Sequence, residues 1–140
     1  MAAKALFLYT ELAPYVLACL KVLVEKHDVE VHLVRWPVNA EAPFELEFPG
    51  RFKVYERTAV DEESLVRLVQ ALKPDIAFAS VWVDKGYLAA CREMRKQGRP
   101  TVMCSDTAWR GDVRQVAAAI AARSCRSQRN WSTATNIRRR

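Results

Sequence analysis

The sequence predicts an α/β fold of the Rossmann-like kind: a three-layer sandwich around a mostly parallel five-stranded sheet in the order 3-2-1-4-5. Three observations predict it. Apolar patterning gives the succession strand, helix, strand, strand, helix, strand, helix, strand, helix, and right-handed crossovers turn such alternation into a parallel sheet with helices on both faces. Ile76, Ala77, Phe78 and Ala79 form an apolar run without alternation, as in a parallel strand covered on both sides. Polar and aromatic residues follow the strands directly, at the edge where open α/β sheets bind ligands.

Taken in order, Ala5 to Tyr9 is a short apolar run closed by a turn signal, the first and central strand. Pro14 suits a first helical position, and Tyr15 to Lys26 continue the helix. Val16, Leu17, Leu20, Val22, Leu23 and Val24 leave that helix little polar face, so it is expected to be buried more than an ordinary surface helix. From Asp28 to Arg35 the pattern alternates, with Val29, Val31 and Leu33 on one side and Glu30 and His32 on the other. This second strand should leave His32 partly exposed. Trp36 to Gly50, with three prolines and three glutamates, reads as a long connection, and Phe52 to Glu56 as the third strand.

Asp61 can cap a helix whose first turn carries Glu62 and Glu63, with Leu65, Leu68, Val69 and Leu72 as its buried stripe. Pro74 ends it, and the fourth strand begins at once. Asp84 stands where it would cap a helix in which Tyr87, Leu88, Cys91 and Met94 share a face. Gly98 terminates that helix, and Pro100 opens the fifth strand through Thr101, Val102, Met103 and Cys104. Gly111 and Asp112 start a last amphipathic stretch with Val113, Val116, Ala117 and Ile120.

A chain of 140 residues, 51% hydrophobic, is long enough for one domain with a true core. Its net charge of +6 would suggest a nucleic-acid partner were it spread over the body. All 16 acidic residues precede Ser124, whereas Arg126, Arg129, Arg138, Arg139 and Arg140 follow it, so the basicity belongs to the tail. We divide the chain into a domain over 1–123 and a disordered or non-native basic tail over 124–140, with no specific nucleic-acid partner. Cys19, Cys91, Cys104 and Cys125 are far apart, with no CxxC pair, and indicate neither zinc nor a redox motif. No cofactor or metal is expected. No apolar stretch reaches the ~20 residues of a membrane span, and the setting expected is reduced and cytoplasmic, leaving room for peripheral membrane association.

The candidate site residues lie just past strands one, four and five. Thr10 and Glu11 follow the first, but this loop lacks the glycines of a phosphate cradle. Trp82 suits a sugar-stacking platform or a packing role, Asp84 a helix cap or a base, and Lys85 an anion contact or an exposed helix start. Asp106, Trp109 and Arg110 bring an acid, an aromatic ring and a guanidinium into one loop, able to bind hydroxyls, a ring face and a phosphate or carboxylate. A structural Asp–Arg pair over a packed Trp is the alternative. Catalytic residues are not assigned.

The succession LFLYTELAPY, LKPDIAFAS and GRPTVMCSD resembles the N-terminal domain of GT-B glycosyltransferases of the glycogen-synthase-like, group 1 type, over about Lys4 to Arg123. The resemblance implies a domain that holds a sugar or glycan acceptor, facing a donor-binding domain across a cleft where sugar passes from a nucleotide sugar. The family's paired glutamates belong to that donor domain and have no counterpart here. Ser80, Val81 and Trp82 stand where many members carry histidines, so no histidine role is carried over. The change of composition at Ser124 fits a chain cut short before the second domain, which would leave these residues an inactive half. A free-standing α/β ligand-binding or regulatory module without catalysis is the other reading.

Overall fold

The computed structural model describes residues 2–37, 50–80, 83–104 and 111–117. Its elements run β1 (Lys4–Tyr9), α1 (Pro14–His27), β2 (Glu30–Arg35), β3 (Phe52–Glu56), α2 (Glu62–Leu72), β4 (Ile76–Ala79), α3 (Lys85–Lys96) and β5 (Thr101–Met103), with a short 3-10 turn at Arg57–Ala59. The sheet has the order β3-β2-β1-β4-β5. All four pairings are parallel, with Phe7 in register with both Leu33 and Phe78.

The winding reverses beside β1. From β1 the chain moves to β2 by way of α1; from β3 it crosses to the other side of β1 by way of α2, and α3 carries it on to β5. Right-handed crossovers in opposite directions place their helices on opposite faces, and the core divides accordingly. Leu17, Leu20 and Val24 of α1 pack on Ala5, Phe7, Val31, Leu33 and Phe52. Leu65, Val69, Tyr87, Ala90, Cys91 and Met94 of α2 and α3 pack on Leu6, Leu8, Val34, Ala77 and Ala79. Phe7 and Phe78 stack across β1 and β4 at 4.8 Å between ring centres.

The helix ends follow the sequence chemistry. The Asp61 carboxylate accepts from the Ser64 N–H at 2.7 Å, capping α2. Lys73 leaves that helix in the left-handed region (φ 51°) before Pro74. Gly98 takes φ 72°, which a side chain would strain, and lets the Arg99 N–H return to the Met94 carbonyl at 2.9 Å.

Two expectations need correction. His32 is 1% exposed. β2 is an interior strand, and His32 projects onto its α2/α3 face, where Nδ1 meets the Tyr55 hydroxyl (3.1 Å) and Nε2 the Glu30 carboxylate (2.9 Å). Helix α1 is buried along one face alone, leaving Tyr15, Ala18, Cys19 and Val22 exposed. Of the last amphipathic stretch, residues 113–117 are helical, with Val113, Val116 and Ala117 exposed, and Ile120 lies outside the described residues. The connection over 38–49 and the tail from Ser124 lie outside the described residues.

Candidate functional site

Parallel strands deliver the residues that follow them to one edge of the sheet. At that carboxyl edge an open cleft of about 410 Å³ is lined by Thr10, Trp36, Arg57, Val83, Asp84 and Lys85. Thr10 follows β1, Trp36 follows β2, Arg57 follows β3, and Val83, Asp84 and Lys85 come from the passage between β4 and α3. The reversal of winding brings the ends of β1 and β4 side by side, and a hydrogen bond joins them, from the Thr10 N–H to Ser80 Oγ (3.2 Å).

Asp84 organises the cleft wall. Its side chain is 6% exposed and accepts five hydrogen bonds. Oδ1 receives the Gly86 and Tyr87 N–H groups at 2.8 and 3.1 Å, capping α3. Arg57 binds side-on through Nε and Nη2, each at 3.0 Å, and Trp36 Nε1 donates to Oδ2 at 3.0 Å. Burial works against ionisation of Asp84, but the bonds from Arg57, the Tyr87 N–H and Trp36 together outweigh it and hold the carboxyl below its usual range.

Arg57 is fixed as firmly. Its third nitrogen donates to the Val60 carbonyl at 2.5 Å, and its guanidinium carbon lies 5.5 Å from the Trp36 ring centre and 5.8 Å from that of Tyr87. A Cβ on Gly86 would collide with this guanidinium, so only glycine fits there without displacing it. Tyr87 itself is fully buried, and its hydroxyl donates towards the carbonyls of Tyr9 (2.8 Å) and Val34 (3.3 Å).

The wall is therefore a neutralised ion pair behind an indole, whose carboxylate is already occupied by donors. What the cleft offers a ligand is the Trp36 ring, 39% exposed, the Val83 side chain, 71% exposed, the Thr10 hydroxyl and the Lys85 ammonium. Such a surface is chemically suited to a ring face and to hydroxyl or anionic groups. Among the described residues no group of three or more His, Cys, Asp or Glu is placed to hold a metal ion.

Of the sequence-predicted site residues, the structure brings Thr10, Asp84 and Lys85 together. Glu11 is exposed and is not among the described residues lining the cleft. Trp82, Asp106, Trp109 and Arg110 lie outside the described residues. Sequence reasoning missed Trp36 and Arg57. The signal for both is their position, immediately after β2 and β3, at the same edge as Thr10 and the passage between β4 and α3.

No family model matches the sequence, and comparison with curated proteins finds no match. Among solved structures, the chain is similar to a short-chain dehydrogenase/reductase (wide type) from Veillonella parvula in complex with NADP, with a TM-score of 0.51 and 11% identity. The fold is Rossmann-like. The match covers 74% of this chain and 47% of the dehydrogenase, so this Rossmann-like domain spans about half the length of the protein it matches. Among the described residues, no helix of the domain is long and apolar enough to cross a membrane.

Proposed function

We propose that this Rossmann-like domain binds a sugar or glycan acceptor in the carboxyl-edge cleft, as the acceptor-side half of a glycosyltransferase of the GT-B type. The observation that carries the reading is the cleft's composition: an exposed indole beside an exposed Val83, a hydroxyl and one ammonium, with the acidic group spent on Arg57 and the α3 cap. An indole face suits the apolar side of a pyranose, and the flanking polar groups suit its hydroxyls. Exposed apolar surface at this edge also fits a second domain closing over it. A dinucleotide fits less well. The turn after β1 has no glycine, and α1 begins at Pro14, which has no N–H to offer a pyrophosphate.

On this reading the 140-residue chain alone transfers no sugar, because both substrates must be positioned together. Isothermal titration against neutral and acidic oligosaccharides, nucleotide sugars and NADP tests the assignment. Oligosaccharide binding is expected, kept in Trp36→Phe, which retains a ring face, and lost in Trp36→Ala. Binding of nucleotide sugars or NADP without oligosaccharides would overturn it. Oligosaccharide binding with no transfer, even when a donor domain is joined to the chain, would favour a free-standing binding module.

A further inference from the structure

Among the described residues, the charged side chains that line the cleft are Arg57, Asp84 and Lys85. Two of them cancel. Arg57 and Asp84 meet side-on through two hydrogen bonds of 3.0 Å, and their side chains are 13% and 6% exposed. Five protein donors fill the Asp84 oxygens, so this carboxylate has nothing left to offer a ligand's hydroxyl or ammonium. Lys85 is exposed and enters none of the ion pairs among the described residues. Beside the cleft, Arg35 is paired with Glu56 at 3.0 Å, and the exposed Glu11 is not among the described lining residues. The charge that the described lining presents to a ligand is therefore a single ammonium.

The indole favours the same sign of ligand. The Arg57 guanidinium carbon lies over the Trp36 ring at 5.5 Å from its centre, so the ring already faces one cation and attracts a second less strongly. An amino sugar would meet that ring with Lys85 repelling it as well. We propose, resting on the sugar-binding reading above, that the acceptor is acidic: the cleft takes a saccharide bearing a carboxylate or phosphate in preference to neutral and amino sugars, its ring against Trp36 and its anion on Lys85. Lys85 is the specificity-determining residue. An ammonium is a point charge on a flexible stem and serves either anion. The forked, two-bond recognition that fits one anion closely belongs to a guanidinium, and Arg57 is committed to Asp84 and the Val60 carbonyl.

Isothermal titration of the 140-residue chain with matched oligosaccharides of glucose, glucuronic acid and glucosamine, and of glucose carrying a phosphate ester, tests the preference. The acidic ligands should bind about fivefold more tightly than the glucose oligomer, the size of one exposed charge pair, and lose that advantage as salt is raised. The two acidic arms identify which anion is used. Lys85→Gln should remove the preference and Lys85→Arg should keep it, with thermal melts showing that both variants fold. Equal affinity for the glucose and acidic oligomers, tighter binding of the glucosamine oligomer, or a preference that survives Lys85→Gln would overturn this proposal while leaving the sugar-binding reading in place. Absence of binding by every saccharide would overturn both.

Discussion

Replacing Asp84 with Ala should be the most damaging single change near the cleft, and its cost can be worked from the contacts. The substitution removes the cap on α3, worth about 1 kcal/mol. It also leaves the Arg57 guanidinium, 13% exposed, without its carboxylate, a loss of about 3 kcal/mol at the lower end of the range for a broken buried pair. The expected sum is about 4 kcal/mol, a fall in Tm of about 15 °C or more for a domain of this size. Asp84→Asn keeps a capping oxygen and should cost about half as much. If the pair is the cause, Arg57→Ala with Asp84→Ala should cost less than the sum of the two singles, by about 1.5 kcal/mol or more. The pH dependence has a definite sign. Because the folded-state carboxyl is held below its usual range, the stabilisation is fully present above about pH 4 and is lost as pH falls through the lower folded value. The gap between wild type and Asp84→Ala should therefore close in acid. Urea titrations at several pH values measure all of this. A cost below about 1 kcal/mol at neutral pH, or strictly additive singles, would refute the reasoning.

Two further outcomes follow from the same contacts. Gly86→Ala should destabilise by about 1–2 kcal/mol in chemical denaturation although alanine is the better helix former, because the new Cβ displaces an Arg57 held by Asp84, Val60, Trp36 and Tyr87. A gain in stability would mean that Arg57 swings aside freely. His32 should make the fold acid-sensitive at a higher pH. Burial lowers its pKa more than Glu30 raises it, so the unfolded chain takes up the proton first and stability falls as pH drops below about 6.5. Thermal melts between pH 5 and 8 should show this slope in wild type and a flatter one in His32→Leu, and equal slopes would count against it.

The sheet order was legible in the sequence because its determinants are local. Pro74 and Gly98 end helices where they stand, Asp61 and Asp84 cap where they stand, and alternation with right-handed crossovers does the rest. The burial of His32 is not legible in its strand, because alternation alone implies one wet face. β2 is interior, and its polar-looking face is roofed by the α2/α3 layer, with Glu30 and Tyr55 meeting the ring nitrogens. Burial of that kind depends on which strands are neighbours, and no window of a single strand contains it. The excess apolar character of α1 was visible, but not how it divides between core and solvent. Thr10, Asp84 and Lys85, which directly follow predicted strands, line the cleft. Trp36 and Arg57 escaped notice because the chain separates them from Asp84 by 48 and 27 residues, and only the parallel sheet gathers them at one edge.

The Tyr87 hydroxyl reaches the carbonyl of Tyr9 at the end of β1 and that of Val34 near the end of β2, while its ring lies against Arg57. One side chain of α3 thus rivets two strand ends to the helix that begins in the cleft wall. The floor beneath Thr10 and Trp36 is set before any ligand arrives, so little binding free energy is lost in ordering it. Amides at the ends of β1 and β2 should exchange with solvent as slowly as those of the core.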